Sequence, residues 1–94
     1  MKHQYHFGST SNVALNEVPR ISALISDLDR VVRILDTDIA TEEERAGVSA
    51  PFDATYPILA STLTARRDNL KETIAALEKR LAGVLDRTEQ AVSA

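Results

Sequence analysis

The sequence predicts an all-α protein: an antiparallel helical hairpin of two long helices that pairs with a second copy into a four-helix bundle. Three observations predict it. Two heptad-like apolar stripes, one from Ile21 to Ile39 and one from Tyr56 to Leu85, are separated by a single turn-rich stretch. Aromatic residues are only 4% of the chain while hydrophobic residues are 44%, so a core must be built of Leu, Ile, Val and Ala, which suits helix packed on helix. Gly and Pro contribute three residues each, too few for a β-rich chain with many turns.

Residues 1–15 read as a flexible lead-in, polar with a few aromatics and passing through Gly8-Ser9-Thr10-Ser11. His3 and His6 would share one side of a helix, but no third ligand stands near them, so they read as solvated residues and no metal site is expected. Asn16 is a good N-cap, with Glu17 in the first turn and Pro19 where a missing N–H is harmless, so the first helix is expected to begin there. Its apolar stripe comprises Ile21, Leu24, Ile25, Leu28, Val31, Val32, Leu35 and Ile39, at spacings of three and four. Ser22, Asp27, Asp29, Arg30, Arg33 and Asp36 occupy the other side.

Thr41-Glu42-Glu43-Glu44 matches a capping box, and three carboxylates are unfavourable at a helix C-terminus. A break near Ala40 is therefore one reading. The favoured one is a continuous helix to Arg45 with Gly47 as the left-handed residue that ends it, because a two-turn fragment would need packing of its own. The interhelical turn is placed at about 47–54, with Pro51 and Pro57 bracketing it, Thr55 capping the second helix and Phe52 folding back over the end of the hairpin.

From Tyr56 to about Gln90 the chain holds no interior break, which predicts one helix roughly 50 Å long. The hairpin domain thus spans 16–90, and 91–94 is expected to fray. The second stripe comprises Tyr56, Leu59, Leu63, Leu70, Ile74, Leu77, Leu81, Val84 and Leu85. A short connection makes the helices antiparallel and sets Leu35 near Leu63, Leu28 near Leu70 and Ile21 near Leu77. Arg67 falls in a seam row, where a cation reaches outward or pairs with a carboxylate such as Asp27 or Asp36 and sets register at some cost in stability.

The stripes are wider than one partner helix can cover. Leu24 with Ile25, Val31 with Val32, and Val84 with Leu85 are neighbours whose side chains point about 100° apart, so they cannot all face a single helix. A small scaffold without disulfide or metal also has little core with which to offset chain entropy. These two arguments predict a homodimer of hairpins. The expected oligomer interface is Ile21, Leu24, Ile25, Leu28, Val31, Val32, Leu35, Leu63, Leu70, Ile74, Leu77, Leu81, Val84 and Leu85.

Other function classes find no support in the residues. The chain contains no GxSxG, nucleotide-binding glycine loop, HExxH or Glu-x-x-His pair, so no enzyme activity and no cofactor are expected. Asp27, Asp29, Asp36, Asp38 and Glu42 to Glu44 are spaced as a solvated helix face rather than a cation site. Absence of cysteine removes thiolate ligands and nucleophiles. The net charge is −3, and Arg66, Arg67, Lys71, Lys79 and Arg80 are interleaved with Asp68, Glu72 and Glu78, so no nucleic-acid partner is expected. No basic face flanked by Trp is present and no apolar run approaches a bilayer-spanning length, so no membrane partner is expected and the cytoplasm is the expected location.

What remains is a small non-enzymatic helical protein acting through self-association and protein–protein interaction. The alternative is an adaptor or export chaperone that binds an amphipathic helix of a partner. The hairpin layout resembles that of small secreted hairpin proteins with a Trp-x-Gly turn and of type III secretion needle subunits. The turn Gly47-Val48-Ser49-Ala50-Pro51 contains no Trp-x-Gly, and no family is assigned.

Overall fold

The computed structural model describes the backbone of residues 2–93 and the side chains of residues 16–87. The side chains of His3, His6 and 91–94 lie outside the described residues. Two helices make up the fold, α1 (Lys2–Ala46) and α2 (Ile58–Ser93), packed against each other as a hairpin, with no strand among the described residues. The chain forms two compact units, Met1–Ser26 with Ala75–Ala94, and Asp27–Ile74.

In the unit Asp27–Ile74 the buried residues are Val32, Leu35 and Ile39 on α1 and Tyr56 and Ala60 at the start of the return path. Leu28, Leu63, Leu70 and Ile74 are half-buried around them. Val32, Leu35 and Ile39 step by three and four, which keeps them on one stripe of a 3.6-residue helix. In the other unit Ile21 and Val84 are buried, with Ile25, Leu77 and Leu81 half-buried.

Helix α1 ends as the sequence predicts, without a break at Ala40. Thr41 does not act as a cap: its hydroxyl donates to the Thr37 carbonyl at 2.9 Å inside the continuous helix. Gly47 takes φ 71°, its N–H donates to the Glu44 carbonyl, and the Val48 N–H donates to the Glu43 carbonyl, each at 3.2 Å. That pair of bonds is a Schellman cap, and the left-handed φ is the reason glycine stands there.

Four expectations are corrected. Helix α1 starts at Lys2 rather than at the Asn16 cap, and Pro19 lies inside it; a proline deletes one helical hydrogen bond without ending the helix when turns on both sides continue. Thr55 does not cap α2, because its hydroxyl is spent on the Asp53 carboxylate at 2.7 Å. The first helical bond of α2 instead runs from the Ser61 N–H to the Pro57 carbonyl at 3.1 Å, so α2 begins at Ile58 and not at Tyr56. Helical geometry is disfavoured at the residue before a proline, and Tyr56 has no preceding helical turn to impose it as Val18 does before Pro19, so the start moves past Pro57. Phe52 does not cover the end of the hairpin: it is 92% exposed.

Candidate protein-interaction surface

Within Asp27–Ile74 the two sides of α1 differ in chemistry. On one side Asp36 accepts a hydrogen bond from Arg67 of α2 at 3.0 Å, and Arg67 also holds Asp68 at 3.2 Å. Of the outcomes open to a seam cation, reaching outward or pairing with Asp27 or Asp36, Arg67 takes the bond to Asp36, and that bond, followed by hydrogen bonding to Asp68, raises its affinity for its proton. Val31 lies five residues before Asp36, about 140° around the helix, and Ile34 lies farther round on the same side as Val31. Both are open to solvent, Val31 at 40% and Ile34 at 54%. Leu59, in the first turn of α2, is also exposed.

The neighbouring pairs divide in the way their geometry requires. Val32 is buried and Val31 exposed; in the other unit Val84 is buried and Leu85 exposed, while Leu24 is exposed beside half-buried Ile25. Of the fourteen expected interface residues, Ile21, Val32, Leu35 and Val84 are internal core of their units. Leu24, Val31 and Leu85 remain available at the surface, and the other seven are half-buried. Reading the stripes missed Ile34, which sits among Arg33 and Asp36 and looks like a stray apolar residue on the polar side. A count along Leu24, Val31 and Ile34 by steps of seven and three would have found it.

The connection between the helices is closed by a dense set of bonds. Asp53 donates its N–H to the Ala50 carbonyl and accepts at its own carbonyl from Tyr56, both at 3.0 Å, making two consecutive turns. The Asp53 carboxylate accepts from the Thr55 N–H at 2.9 Å and from its hydroxyl, and these bonds, the backbone one foremost, hold the acid below its ordinary range. Buried Tyr56 donates its hydroxyl to Glu43 at 2.7 Å, which raises the phenol above its ordinary value. Phe52, at the third position of the first turn and just after Pro51, projects into solvent from this framework, and Ile58, the first residue of α2, is 85% exposed.

Ion pairs along α1, Asp27 with Arg30, Asp29 with Arg33 and Glu42 with Arg45, lie at helical spacings on exposed faces, where each contributes little. In the other unit Arg80 holds Glu17. Two of the five cations considered for a nucleic-acid patch, Arg67 and Arg80, are therefore already paired with carboxylates. No cluster of metal-ligating side chains occurs among the described residues, and no helix is long and apolar enough to cross a membrane. Comparison with protein families, with curated proteins and with solved structures finds no match to this chain.

Proposed function

We propose that the chain is a non-enzymatic association module that pairs with a second copy of itself through the side of α1 that exposes Val31 and Ile34, two hairpins forming a four-helix bundle. The observation that carries the reading is that Val31 and Ile34, large β-branched residues, stand in solvent on the side of the helix away from the Arg67–Asp36 bond. Exposed apolar residues at helical spacing are what a second pair of helices covers in a bundle.

A C2 pairing would present Val31 and Ile34 of each copy to the other, so every apolar contact would occur twice. Light scattering on the full chain over a wide concentration range tests the reading. A concentration-dependent dimer mass is expected, and a well-folded monomer at every concentration would overturn it.

A further inference from the structure

We propose that the loop end of the hairpin, with Phe52 and Ile58 as apolar anchors, is a docking site for a basic amphipathic segment of another protein. This is a different surface from the α1 side assigned to self-association, and it calls for a partner of opposite charge.

The first reason is presentation. Phe52 and Ile58 are exposed at 92% and 85%. The framework beneath them is fully specified, with the Schellman cap at Gly47, the Ala50–Asp53 and Asp53–Tyr56 turns, the Asp53 carboxylate on Thr55 and the Tyr56 hydroxyl on Glu43. A loop backbone already closed by hydrogen bonds presents both residues from a pre-formed frame, so binding there orders side chains and not the chain that carries them.

The second reason is charge. Residues 42–58 carry Glu42, Glu43, Glu44 and Asp53 against Arg45 alone, net −3, which equals the net charge of the whole chain. Three of these carboxylates stand in the last turns of α1, at the negative end of its macrodipole. A helix gains stability from cations at that position, and this one carries a surplus of anions there. Arg45 pairs with Glu42 and the Tyr56 hydroxyl is given to Glu43, but one cation against four anions leaves this end negative, and a basic partner would offset that surplus. A phosphate backbone or an anionic lipid surface would be repelled by such an end. Lys or Arg residues interleaved with Leu or Phe would satisfy the carboxylates and the two apolar anchors together.

Titration calorimetry on the full chain tests the site, with a synthetic Leu/Lys amphipathic helical peptide as probe and a Leu/Glu peptide of the same pattern as charge control. The Leu/Lys peptide is expected to bind and the Leu/Glu peptide not to bind. Phe52→Ser and Ile58→Ser are each expected to weaken binding about tenfold, as loss of a single well-packed anchor does, while Asn69→Ser, at an exposed position of α2 outside both surfaces, leaves it unchanged. Both side chains are exposed, so circular dichroism should show helicity retained in these variants. Glu44→Lys is expected to abolish binding while raising the melting temperature, a combination that damage to the fold cannot produce.

Any of four results overturns the proposal: equal affinity for the Leu/Glu peptide, Leu/Lys binding indifferent to Phe52 and Ile58, binding of the wild-type chain to phosphatidylserine vesicles, or a fall in oligomer mass in Phe52→Ser. The last would assign this end to a second copy of the chain. A monomeric wild type would overturn the self-association reading and leave this one standing.

Discussion

Replacing Val31 and Ile34 together by serine should dissociate the chain while leaving it helical. Full burial of a valine or isoleucine side chain contributes about 1.5–3 kcal/mol. Val31 retains 40% and Ile34 54% of its exposure. Covering those shares is worth about 0.6–1.2 and about 0.8–1.6 kcal/mol respectively, and a two-fold interface counts each of them twice. The double variant therefore loses about 3–6 kcal/mol per dimer, which is roughly two to four orders of magnitude in dissociation constant. Sedimentation equilibrium reads this directly. Val32→Ala is the matched control, one residue away but only 5% exposed. It removes two buried methyl groups and leaves a small cavity, so it should cost about 2 kcal/mol of folding stability in urea titrations. Its effect on monomer–dimer balance should be secondary to that loss. The reasoning fails if the double variant associates as the wild type does, or if Val32→Ala dissociates the chain with its unfolding midpoint unchanged.

The remaining predictions concern the end of the hairpin and its seam. Gly47→Ala should lower stability by about 1–2 kcal/mol from the left-handed backbone alone, since a Cβ at Gly47 meets nothing within 4 Å and its φ is +71°; thermal unfolding with Gly47→Asn as the milder comparison checks it. The Tyr56 bond to Glu43 needs a protonated phenol, and its pKa is raised in the folded state. Its contribution is therefore fully present below about pH 10, the unfolded value, and is lost as pH rises through the raised folded value. Wild type and Tyr56→Phe should differ in urea midpoint at neutral pH and converge at alkaline pH. For Asp53 the sign is opposite, because its pKa is lowered: its contribution is present above the ordinary carboxylate range and is lost as pH falls through the lowered value. The difference between wild type and Asp53→Ala should accordingly vanish in acid. Arg67→Leu should raise the melting temperature, since the guanidinium occupies a seam position at 25% side-chain exposure and its partner Asp36, at 47%, can be satisfied by water. A lower melting temperature would show that the bond outweighs apolar packing there.

The helices and the glycine that ends the first were legible because they rest on short-range regularities. Ile21, Leu28 and Leu35 recur with the helical repeat, and the competition between the capping box at Thr41 and a left-handed Gly47 was decided by the separate packing that a two-turn fragment would need. The pairing of Arg67 with Asp36 was legible for a similar reason, since a cation in an apolar row must find an anion on the facing helix. Failures occurred where one residue had two local partners or none. Thr55 has the chemistry of a cap, but Asp53 two residues earlier competes for its hydroxyl, and Pro57 removes Tyr56 from helical geometry. The direction of Phe52 depends on the dihedral angles of a turn, which its sequence Ala50-Pro51-Phe52-Asp53 does not determine. Periodicity showed that Val31 and Val32 cannot both face one helix; which of them faces inward depends on the rotation of α1 against α2, a property of the packed pair.

Register is the point at which the two kinds of information meet. Leucines repeating every seven residues pack equally well after a slip of one heptad, so an apolar seam alone does not specify alignment. Arg67 does not specify it either. Asp29, Asp36 and Glu43 stand at heptad spacing on one row of α1, so a slip in either direction offers Arg67 another carboxylate. What a slip cannot preserve is the connection: moving one helix by a heptad would break the Val48 bond to Glu43, the Tyr56 bond to Glu43 and both turns at Asp53. Alignment is therefore set from the loop end, where Glu43 is held by the backbone on one side and by Tyr56 on the other. For this reason Arg67→Leu is expected to change stability and not register, and the hydrogen-bonded loop that fixes alignment is also the framework that holds Phe52 in solvent.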